Sequence, residues 1–123
     1  MRRAAFERLV ARALEELPPL FAERLRNVAV IVEDRPSREV AAELGEDILG
    51  LYHGASEFDR SPFALYDLPE VIVIYQKNIE AICRTDDEIV EEVRKTVIHE
   101  VGHHFGLSDE DMEAFEAETS EGG

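Results

Sequence analysis

The chain has 123 residues, and its 28 Asp and Glu against 13 Lys and Arg give a formal net charge of −15. That length suits one domain spanning 1–123, and the acidity repels phosphate backbones, which argues against a nucleic-acid role. The single cysteine, Cys83, leaves no intrachain disulfide to form, and no apolar run approaches the 18 residues of a membrane span.

Residues 1–17 place Ala5, Phe6, Leu9, Val10, Ala13, Leu14 and Leu17 at helical spacing, closed by Pro18-Pro19. The mixed charge of the polar face makes this a core-packing helix rather than a membrane-surface one. Glu7, Arg8 and Arg12 interrupt the segment behind Met1-Arg2-Arg3, so a signal peptide is not expected and the address is cytoplasmic. Eleven Arg against two Lys fit a GC-rich genome. A short helix follows over 19–26, with proline at its first turn. The β-branched run Val28-Ala29-Val30-Ile31-Val32 reads as a strand over 27–33, ended by Arg35-Pro36-Ser37. Residues 38–49 carry a weak helical pattern, and 50–53 a short second strand. Residues 54–69 have little periodicity and read as a long loop, of the length that lids and binding loops reach. Val71-Ile72-Val73-Ile74-Tyr75 is the strongest strand, and its unbroken apolar pattern favours an internal position. A short helix is expected over 78–84, with Cys83 a small buried hydrophobe.

The next helix, over about 87–105, lines up Val90, Val93, Val97 and Val101 in one stripe, with Ile98 and Phe105 at its edge. Asp86 or Asp87 is the expected N-cap. His99 and His103 are four residues apart, hence one turn apart on the face away from the valines, where both can reach one metal ion. Glu100 is rotated about 100° from His99, placed for a metal-bound water rather than for the metal. Gly106 tolerates positive φ and can end the helix in a sharp turn, bringing Asp109 back over the histidines as a third ligand. Two imidazoles and one carboxylate leave a fourth position open, the arrangement of catalytic rather than structural zinc. His104 falls on the valine stripe and reads as a core histidine bonded to a backbone carbonyl. A last helix over 110–117 turns Met112 and Phe115 inward, and 118–123 read as frayed tail. The sum is α+β: a small twisted sheet of three or so strands, helices mainly on one face and a C-terminal active-site helix.

The segment His99-Glu100-Val101-Gly102-His103-His104-Phe105-Gly106-Leu107-Ser108-Asp109 resembles the long zincin metallopeptidase signature, with the metzincin glycine and Asp in place of the third His. Together with Gly50-Leu51-Tyr52-His53-Gly54 and the apolar strand, it is most similar to a family of very short bacterial zincin-like proteins. The resemblance implies a minimal zincin-like domain that binds one Zn²⁺ per chain through His99, His103 and Asp109. It also implies Glu100 as general base for hydrolysis of a peptide or protein substrate, and the strand over 70–76 as the edge that pairs with it. Two departures stand out: only 14 residues follow Asp109, too few for the usual methionine turn, and no second subdomain walls the cleft. Tyr52, His53 and Tyr75 are alternative donors for the developing oxyanion, and the sequence does not choose among them. Rival readings are a zinc-binding regulatory or interaction protein without turnover, and a non-peptidase metal hydrolase. A third is a peptidase completed only by a homo-oligomer or a protein partner. Acid concentrated in 80–123, with fourteen acids against three bases, would favour cationic or neutral substrates.

Overall fold

The structure, a computed structural model, describes residues 1–53 and 70–122, with side chains through Glu116. Its elements in chain order are α1 (Arg3–Glu15), α2 (Pro19–Arg24), a single 3₁₀ turn (Leu25–Asn27) and β1 (Ala29–Glu33). There follow α3 (Arg38–Leu44), β2 (Gly50–His53), β3 (Val71–Tyr75), α4 (Gln76–Ile82), α5 (Asp86–His104) and α6 (Asp109–Gly122). The α+β expectation holds, and every expected helix and strand is present. The loop over 54–69, with the lid role considered for it, lies outside the described residues.

Sheet order is β1-β3-β2, with β1 parallel and β2 antiparallel to β3. The strand named as the substrate-pairing edge is therefore the centre of the sheet. This corrects the expectation drawn from the family resemblance, and the reason lies in the side chains. Val71, Ile72, Val73, Ile74 and Tyr75 are all buried, so β3 needs apolar cover on both faces and a neighbour on both sides. Ile72 and Ile74 face the main core, built on α1, α2 and α5 by Phe6, Val10, Ala13, Phe21, Val90, Val93, Val97 and Val101. Val71, Val73 and Tyr75 face the other way, onto Val40 of α3 with Leu51 and Ile48. Cys83 packs at the margin of the main core, only partly buried, and this burial pushes its thiol pKa up.

Local chemistry sets the ends of the long helix. The N-cap of α5 is Thr85, one residue before the expected aspartates. Its hydroxyl accepts from the Glu88 N–H, an orphan donor of the first turn, while the Glu88 carboxylate accepts from the Arg84 N–H just before the cap. At the other end Gly106 has φ +77°, and the Leu107 N–H returns to the Gly102 carbonyl at 2.9 Å, with the Gly106 N–H on the His103 carbonyl at 3.1 Å. These two bonds form a Schellman turn, as the glycine's place predicts. Ser108 then caps α6: its hydroxyl accepts from the Asp111 N–H, and Asp111 accepts from the Ser108 N–H. The backbone of α6 stays helical to Gly122, through residues that the sequence leaves as tail.

Helix α6 packs against α5 where Met112 meets Gly102. A Cβ on Gly102 would meet the Met112 sulfur and come within 2.9 Å of its Cγ, and Met112 is fully buried. Gly102→Ala gains up to about 1 kcal/mol of helix propensity but overpacks this contact at a cost of roughly 1–3 kcal/mol. A lower urea midpoint is the expected net result, and a raised one would show that Met112 can swing aside.

Candidate metal centre

Helix α5 presents His99, Glu100 and His103 beyond its buried arc. The His99 and His103 rings have centroids 6.0 Å apart and stand nearly perpendicular, at 82°. Each turns its Nε2 toward a carboxylate on α6: His103 to Asp109 Oδ1 at 3.2 Å, and His99 to Glu116 Oε1 at 2.7 Å. The Gly106 turn thus returns Asp109 to the second histidine, as its spacing predicts. Glu116 is the residue that sequence reading missed. Its signal was available: Asp109, Met112 and Glu116 fall on one helical stripe, so a helix with Met112 inward carries Glu116 toward the same neighbour.

The two carboxylates differ in setting. The Asp109 side chain is 81% exposed, whereas that of Glu116 is 16% exposed. Beside Glu116, Phe115 packs edge-on against Phe21 of α2, with ring centroids 5.0 Å apart, and this fixes the rotation of α6.

Glu100 points off the histidine face toward the sheet. Its Oε1 accepts from the Tyr52 backbone N–H at 3.3 Å. That N–H faces outward because antiparallel pairing alternates: the Tyr75 N–H bonds the Leu49 carbonyl, so Leu51 and His53 also pair with β3 while Gly50 and Tyr52 turn away. Burial pushes the Glu100 carboxyl above the usual glutamate range, although the Tyr52 N–H, His103 and His99 each pull it back. A base held in a partly desolvated niche beside two potential ligands is a common mark of a functional carboxylate.

Sheet alternation also sorts the three oxyanion candidates. Tyr52 pairs with Ile72 and lies on the α5 side, stacked on His104 at 4.2 Å between ring centroids. Tyr75 belongs to the opposite cluster, and His53 alternates to that same face. His104 is exposed, not the core histidine expected. Its place on the valine stripe is kept, but in the last turn of α5 that face has run past the end of the core and lies on the rim beside Tyr52 and Phe105. Phe105 is exposed as well and lies under the Arg24 guanidinium, 4.7 Å from the ring centroid.

A groove of about 450 Å³ runs between β2 and α5, lined among others by Leu49, Gly50, Thr96, His99, Glu100 and Glu116. It needs Gly50: a Cβ there would fall 2.7 Å from Thr96 Cγ2 and 3.0 Å from the Val73 carbonyl oxygen. Among the described residues β2 pairs only with β3, so its outer edge borders the groove.

Among the described residues no three His, Cys, Asp or Glu side chains converge on one point as they stand. The donors are grouped as two imidazole–carboxylate pairs. Their spacing nevertheless suits zinc. Ligands about 2.0–2.2 Å from a tetrahedral ion lie roughly 3.4 Å apart, close to the 3.2 Å between His103 and Asp109. Imidazole nitrogen with carboxylate oxygen is also a donor set that zinc takes readily.

Among the described residues no helix is long and apolar enough to cross a membrane. A family model described as zincin-like metallopeptidase matches residues 25–119. No curated protein matches the chain. The family match leaves out α1 and α2, yet Phe6, Val10, Ala13 and Phe21 from those helices complete the core beneath α5.

Proposed function

This chain belongs to the zincin-like metallopeptidase family, and on that premise we propose that it hydrolyses peptide bonds with zinc held by His99, His103 and Asp109. Glu100 is the general base. The observation that carries this reading is the shared placement of four groups. Two imidazoles present Nε2 on one side of α5, Asp109 is returned to His103, and Glu100 sits beside them in a partly desolvated niche. Zinc bound there would lower the pKa of water toward 7 and polarise a carbonyl.

The chain's own residues supply the rest. Glu100 accepts a proton from the attacking water and returns it to the leaving amine. Its hydrogen bond from the Tyr52 N–H orients the carboxylate, and the raised pKa makes it a stronger base than an exposed glutamate. An extended peptide lies along the outer edge of β2 rather than β3, since Gly50 turns its backbone N–H and carbonyl into the groove. Glu92, Glu100 and Glu116 against Lys95 give that groove a negative balance, which favours neutral or cationic side chains.

Elemental analysis of the purified protein tests this directly. About one zinc per chain is expected in the wild type and none in His103→Ala, together with loss of peptide hydrolysis. Equal zinc in both proteins removes the site. Zinc without turnover on any peptide leaves a metal-binding protein and removes the peptidase.

A further inference from the structure

We propose that Glu116 is a fourth protein ligand of this metal, so that the centre rests closed and opens for chemistry only when Glu116 leaves it. The inference rests on the zinc reading above. The His99 Nε2 that would hold the ion already faces Glu116 Oε1 at 2.7 Å, the shorter of the two imidazole–carboxylate pairs. Placing zinc there requires that pair to open by roughly 0.7 Å, toward the 3.4 Å spacing of tetrahedral ligands, and the two imidazole–carboxylate pairs to close on one point.

The position of Glu116 is built rather than incidental. Met112, one turn earlier, is buried against Gly102, and Phe115 packs edge-on to Phe21, so two contacts in the turn leading to the carboxylate set the phase of α6. Helices α5 and α6 run in opposite senses here: Asp109 meets His103 while Glu116, two turns later on the same stripe, meets His99. Four protein ligands fill a tetrahedral zinc and describe a structural site, whereas hydrolysis requires one position for water. Glu116 also lines the groove beside β2. A peptide lying in that groove occupies the space into which Glu116 projects, so substrate and fourth ligand compete. Glu116 thereby shields the metal until substrate enters the groove.

Two measurements test this without relying on turnover. Zinc affinity, read by competition with a chromophoric chelator, is expected to be at least 10-fold weaker in Glu116→Gln than in wild type. Glu113→Gln removes the same charge from an exposed position of α6 and is expected to leave affinity unchanged. In the cobalt-substituted proteins, added azide is expected to change the visible spectrum of Glu116→Gln and to leave that of wild type unaltered. Far-UV circular dichroism checks that each variant is folded. An affinity in Glu116→Gln equal to wild type, or a wild-type spectrum that responds to azide as the variant's does, overturns the proposal alone. A wild type that binds no zinc overturns the metal reading itself.

Discussion

Glu100→Gln is expected to lower peptide hydrolysis by about 10²–10⁴-fold while the zinc content stays at the wild-type level. Glutamine keeps the shape of the side chain and an oxygen that can accept from the Tyr52 N–H, but it cannot take a proton at neutral pH. The same substitution is expected to raise the melting temperature of chelator-treated protein near neutral pH. Burial raises the folded-state pKa of Glu100 above its ordinary 4.5, so the fold holds this proton more tightly than the unfolded chain does. The ionised carboxylate therefore costs stability above the folded pKa, and the cost disappears as the pH falls below the unfolded value. Glutamine carries no such cost. Melting both proteins in chelator at about pH 7 and again at about pH 4 should show the variant ahead at the first and the gap closed at the second. Undiminished turnover would remove Glu100 as the base. A variant less stable than wild type at neutral pH would remove the desolvation argument.

The features legible in the sequence were those set by spacing along one chain segment. The valine stripe of α5, the His99–His103 face, the Gly106 turn and the return of Asp109 all follow from helical geometry and glycine's access to positive φ. Strand existence was legible too, because β-branched runs have few other uses. Strand order was not. The apolar pattern of Val71 to Tyr75 pointed to an interior strand, whereas the family resemblance pointed to an edge, and only the structure put β2 beside α5. Glu116 was hidden for a related reason. One glutamate among the acids of 109–118 carries no mark of its own, and its contact with His99 depends on how α6 packs on α5 at Gly102. His104 was misplaced because a stripe extrapolated to the last turn of a helix ignores where the core stops.

Gly106→Val is expected to weaken zinc binding by about 10–100-fold, the range seen when the support of a ligand is lost, although Gly106 touches neither histidine. The residue sits at φ +77°, where a β-branched side chain costs roughly 1–2 kcal/mol or more. Space is not the obstacle, since a Cβ at Gly106 meets nothing within 4 Å. The whole penalty falls on the backbone, and the way to relieve it is to unwind the Schellman turn. That turn sets where α6 begins. Once it unwinds, Ser108 no longer caps α6 at its present place, and Asp109 and Met112 move with it. Asparagine tolerates the left-handed region far better than valine, so Gly106→Asn should recover most of the affinity. Chelator competition on the three proteins reads the difference. Equal losses in the valine and asparagine variants would mean that the absence of a side chain matters at 106, and not the conformation. No loss in either would mean that α6 keeps its carboxylates in place through the Met112 and Phe115 contacts alone, independent of the turn that leads into it.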